Sequence, residues 1–94
     1  MAGVAGTTIP PGQPLEVSKV DMREIHKLRL AHLRARHALE RSWWHVAVQN
    51  YLVCYELVEQ AGDAHATEFF GAQLSECYAR MGLIGKADLY RELV

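Results

Sequence analysis

Residues 18–93 alternate between helical apolar periodicity and short breaks. Ile25, Leu28, His32, Ala35, Leu39, Ser42 and Val46 recur at steps of three and four, one face of a helix. Trp44, Ala47, Val48, Tyr51, Tyr55 and Val58 share that spacing but lie on a different face. The change of face near Arg41–Trp43 predicts a turn, with Ser42 capping the helix that follows. The competing reading is one helix of about 40 residues, roughly 60 Å long. A lone helix of that length would need a coiled-coil partner, so the break is favoured.

Further on, "QAGDAHA" places Gly62 to end a helix in the left-handed conformation and Asp63 to cap the next. Phe69, Phe70, Leu74, Cys77, Tyr78 and Met81 continue a helical pattern up to Gly82. A short helix then runs to the C-terminus. The expected elements are helices near 19–41, 43–61, 64–81 and 84–93, in an all-α, small antiparallel helical bundle. Residues 1–17, with Pro10, Pro11 and Pro14 among Gly and Thr, read as a flexible, disordered N-terminal arm before a single helical domain at 18–94. Ser18 with Asp21 has the form of a capping box opening the first helix.

"QLSECYARMGLIGKADLYREL" resembles a tetratricopeptide repeat. Leu74, Ser75, Tyr78, Gly82, Ile84 and Ala87 fall at the family's large, small, aromatic, glycine, aliphatic and alanine positions. Trp44, Ala47, Tyr51 and Cys54 match second-helix positions of a preceding repeat, so the resemblance covers residues 43–94. It implies stacked helix hairpins in which small residues let helices approach and large ones fill the gaps. It also implies a concave groove for peptide segments, formed by the first helix of each repeat. Arg29, His32 and Arg36 would face that groove from the first repeat, and Gln73, Glu76 and Arg80 from the second. Fewer than three repeats seldom suffice alone, so the resemblance also implies self-association.

Charge sharpens this picture. The 94 residues carry a formal net charge of only −1, yet the charges are segregated. Residues 19–45 hold seven cations against three carboxylates, and residues 46–94 hold three against seven. A basic helix face of this kind suits an acidic partner segment. Phosphates of a nucleic acid are the alternative target, which near-zero net charge disfavours. A structural subunit of a larger assembly is a third reading.

The chemistry-bearing residues point away from catalysis. No glycine-rich phosphate loop or nucleophile elbow is present, and His45 and Cys54 sit about 13 Å apart by helical rise, too far for a nucleophile–base pair. His26, His32, His37 and His45 miss the i, i+3 or i+4 spacing of a helical metal site. Cys54 and Cys77 lie within apolar patterns and read as reduced packing residues. No enzyme, metal or cofactor is expected. No apolar run reaches the roughly 18 residues that span a bilayer, and the N-terminus lacks a signal-peptide pattern, so a cytoplasmic setting is expected.

The resulting expectation is a non-enzymatic protein–protein interaction module that pairs with a second copy as a homodimer. Adjacent helix residues point about 100° apart, so the two tryptophans cannot share a seam. The resemblance implies that Trp44 fills the space between helices and that Trp43 faces a neighbour. Trp43, Phe69, Phe70 and Leu83 are the expected interface, since the last helix is too short to cover the preceding one.

Overall fold

The computed structural model describes residues 22–93. Four helices follow in order: α1 (Met22–Glu40), α2 (Trp44–Gln60), α3 (Ala64–Arg80) and α4 (Ile84–Leu93). The chain is all-α, and each helix packs on its neighbours in sequence: α1 on α2, α2 on α3, α3 on α4. The break between α1 and α2 is real, which removes the single long helix. The arm and the Ser18–Asp21 capping box lie outside the described residues.

Three turns of one design make the bundle. Ser42, Gly62 and Gly82 take the left-handed conformation, with φ of 59°, 75° and 80°. The next residue in each case, Trp43, Asp63 or Leu83, donates its N–H to the carbonyl six positions back counting itself: Ala38 at 2.9 Å, Val58 at 3.0 Å, Tyr78 at 2.9 Å. The left-handed residue donates to Leu39, Glu59 or Ala79, each at 3.0 Å. This double bond pattern satisfies carbonyls that a helix end leaves unpaired. The same residue that closes one helix opens the next. The carbonyls of Trp43, Asp63 and Leu83 accept from Ala47, Thr67 and Ala87.

The left-handed positions stand at 42, 62 and 82, so helix plus turn repeats every twenty residues. Burial follows the same step at three positions of α1, α2 and α3. Ala31, Tyr51 and Gly71 are buried, as are Ala35, Tyr55 and Ser75, and then Ala38, Val58 and Tyr78. A shared period of this kind is what sequential stacking requires, because each helix presents the same faces to the one before and the one after.

The capping role expected of Ser42 is corrected. Ser42 occupies the left-handed site, and Trp43 is the N-cap of α2, with no side-chain bond to the helix. The error is one residue, and its cause is the turn geometry, which places a positive-φ residue before the cap. Asp63 does cap α3, accepting from the Ala66 N–H at 3.0 Å.

The core unites Ala47, Tyr51, Cys54, Leu74, Cys77, Tyr78 and Ala87 with Phe70 and the α1 alanines. Ala31, Ala35 and Ala38 form the buried line of α1. Of the expected Ile25–Leu28–His32–Ala35–Leu39–Ser42–Val46 line only Ala35 is buried; Ile25, Leu28, His32 and Leu39 are partly covered, and Ser42 and Val46 are exposed. Three small side chains let α2 approach closely, so its large residues supply the volume. Trp44, expected in the core, is partly buried at its rim, with the Arg80 guanidinium 5.5 Å from its ring centroid. α4 is fastened by the Ser75 hydroxyl, which donates to the Ala87 carbonyl at 2.7 Å. Tyr90 secures it further, stacked on Tyr78 and edge-on to Tyr55 at 5.7 and 5.5 Å between centroids.

Candidate functional site: the basic face of helix one

On α1, Arg29, His32, Leu33 and Arg36 sit within two helical turns and line an open recess of about 280 Å³. The two arginines are exposed and His32 is half-buried. The inner edge of the His32 ring enters an aromatic cluster. It meets Phe70 edge-on at 5.1 Å between centroids, Phe69 at 6.0 Å and Tyr51 at 6.2 Å. These contacts join α1 to α3 across α2.

Burial holds the His32 imidazole below its ordinary value of 6.5, and the neighbouring Arg36 cation pushes in the same direction. Tyr51 is buried, and its hydroxyl is shifted up chiefly by desolvation, with Arg36 opposing the shift. The recess thus sets two exposed cations, Arg29 and Arg36, beside a half-buried imidazole and the exposed Leu33 side chain. Such a surface can hold a carboxylate at either arginine while an apolar side chain rests between them.

The other residues expected in the groove behave differently. Arg80 is ion-paired with Glu76 at 2.9 Å and lies over the Trp44 ring. Its guanidinium is thus shared between Glu76 and the Trp44 ring, while the side chain stays largely exposed. Gln73 is half-buried on α3, one turn beyond Phe69. Arg29, His32 and Arg36 are thus brought together, and Arg80 stands apart from them.

The four residues expected at an interface also separate. Phe70 is corrected: at 5% exposure it belongs to the core of its own chain and offers no surface to a neighbour. Trp43, Phe69 and Leu83 are exposed by 52%, 47% and 42%. Trp43 and Leu83 follow α1 and α3 respectively, so they share one end of the bundle. Phe69 lies most of the length of α3 away, about 16 Å by helical rise.

Two exposed leucines were missed. Leu33 is 68% exposed and Leu30 47% exposed, both on α1. The signal that would have found them is a second periodic line along the same helix, running beside the buried one. Elsewhere, Glu24, Ile25, Leu28, Leu57, Val58, Ala61 and Asp63 line a smaller hollow between the start of α1 and the end of α2. Among the described residues no cluster of three His, Cys, Asp or Glu side chains is placed to hold a metal ion. None of the described helices is long and apolar enough to cross a membrane. Comparison of the chain with family models, curated proteins and solved structures returns no match.

Proposed function

We propose that this chain is a non-enzymatic protein–protein interaction module, tetratricopeptide-like in design, that presents the basic face of α1 to an acidic partner segment. The carrying observation is the recess in which Arg29 and Arg36 flank His32 and Leu33. Exposed cations beside the Leu33 side chain suit a peptide that carries both carboxylates and an apolar anchor. Phosphates of a nucleic acid would use the cations and leave Leu33 uncovered. Helix hairpins stacked in sequence order support a helical-repeat design, although helices of 17 and 19 residues are longer than a 34-residue tetratricopeptide unit accommodates.

Self-association is part of the same proposal. Trp43 and Leu83, exposed at one end of the bundle, supply an apolar patch for a second copy, and Trp43→Glu places an unpaired charge there. Sedimentation velocity across protein concentrations tests it. A wild type that remains monomeric at about 100 μM, well above the Kd of a serviceable dimer, rules out the homodimer.

Binding to the acidic segment is tested by anisotropy with a labelled Glu- and Leu-containing peptide. The double variant Arg29→Glu/Arg36→Glu should lose most of the affinity. Unchanged affinity would remove the face from consideration. Affinity that collapses with salt as steeply as multi-phosphate contacts require would favour the nucleic-acid reading.

A further inference from the structure

α1 has two faces, and the outer one has its own order. His26, Leu30, Leu33 and His37 follow steps of four, three and four, the spacing of the a and d positions of a heptad. The same register puts Arg23 and Glu40 at its two ends, so its apolar part is the pair Leu30 and Leu33. All four are exposed, and the buried alanine line of α1 lies on the other side of the helix. At the C-terminal end the seam runs into Trp43, whose ring stands edge-on to His37 at 6.3 Å between centroids. Beyond the two leucines, His37 accepts from Arg41 Nε at 3.1 Å, and the Arg41 guanidinium stands 5.4 Å from the centroid of the exposed Trp43 ring.

The flanks of this seam carry the decisive information. In the same register the e positions are Lys27 and Arg34, and the g positions are Arg29 and Arg36. All four flanking positions are cationic and exposed. None of the four is in a salt bridge among the described residues. In paired helices the e and g charges choose the partner and its orientation more than they set the affinity.

We propose that the outer seam of α1 docks an amphipathic helix with apolar a and d positions and carboxylates at e and g. This rests on the reading of α1 as an acid-binding face and specifies its ligand. Leu30 and Leu33 supply the knobs, and each flank meets a row of Glu or Asp one turn apart. A second copy of this chain is excluded from the seam, because like-for-like packing would set cation against cation on both flanks. Homodimerisation through Trp43 and Leu83 uses the end of the bundle and meets the seam only at Trp43.

The experiment is an anisotropy titration of the whole protein with three labelled peptides of equal length. The first has Leu at a and d and Glu at e and g, the second replaces Glu by Lys, and the third scrambles the first. A mixed-sequence DNA duplex and phosphatidylcholine/phosphatidylserine vesicles complete the set. The ordered acidic peptide should bind at least about tenfold more tightly than the rest, the discrimination expected of one well-formed contact. Leu33→Glu should remove that advantage, with circular dichroism confirming an unchanged fold. Reversing all four flanking cations to Glu should transfer the preference to the Lys peptide.

Equal binding of the ordered and scrambled acidic peptides would overturn the helical partner while leaving an acid-binding face. Failure of both acidic peptides would overturn the two readings together. Tighter binding to DNA or to vesicles would assign the cations to phosphates and defeat the proposal.

Discussion

His32 on α1 meets Phe70 on α3 edge to face, with 5.1 Å between ring centroids, although the two helices are not sequence neighbours. The contact places a titratable ring inside the aromatic centre of the bundle. Burial and Arg36 hold its pKa below 6.5, so the unfolded chain takes up this proton at a higher pH than the native one. Stability is therefore complete above about pH 6.5 and declines as pH falls through that value toward the lower native pKa. Urea melts at pH 7.5 and 5.5 should show a smaller loss for His32→Gln than for the wild type. Equal losses would show that His32 does not carry the pH dependence.

Ser42 is the one non-glycine among the three left-handed turn residues. Relief of that conformation predicts that Ser42→Gly stabilises the fold by about 0.5–1 kcal/mol. Gly62→Ala and Gly82→Ala should each destabilise by about 1 kcal/mol. An added methyl meets open space at both sites, so the effect is one of backbone conformation alone. Chemical denaturation of the three variants measures both signs. A destabilised Ser42→Gly would show that the serine side chain contributes something the geometry does not reveal.

The Ser75 hydroxyl and Ala87 carbonyl form a buried bond at 2.7 Å. Ser75→Ala removes a second donor from a carbonyl inside α4, at about 0.5–1.5 kcal/mol. The loss should be concentrated in α4, seen as faster amide hydrogen exchange there than in α2. Uniform acceleration throughout the chain would mean that α4 does not open separately.

Cys54 is fully buried, donates weakly to the Leu28 carbonyl at 3.8 Å, and has its thiol pushed up to about 11 by burial. Cys77 is shifted in the same direction for the same reason. Since the thiolate is the reactive form, neither should be modified by a thiol reagent at pH 8 until the protein unfolds. Rapid labelling of the native protein would contradict the packing around both.

The helices were legible because their ends are written in glycine, aspartate and changes of apolar face. Ser42 was placed one residue away from its role because serine caps helices far more often than it adopts a positive φ. Trp44 looked like core by size and spacing, yet its half-covered ring leans against Arg80, a contact between α2 and α3 that neither local sequence announces. Phe70 was assigned outward because a short last helix seemed unable to cover α3. The cover comes instead from His32 and Tyr51, on the preceding side. On α1, the Ile25–Leu28–His32–Ala35–Leu39 line runs beside the buried alanines and shares Ala35 with them, and the exposed Leu30 and Leu33 lie on a different face. Small alanines carry little periodic signal, and a helix with two patterned faces is easily read as having one.

The twenty-residue interval between turns puts a constraint on length rather than on composition. Deleting one residue within α2 would swing every later position of that helix by about 100° about its axis, exposing part of the core and misaligning the turn at Gly62. Moving by a whole interval returns the same faces to the same neighbours. The chain is thus a ruler marked in units of one helix and one turn. Lengthening by a complete unit preserves the stack, whereas a single-residue insertion disrupts it.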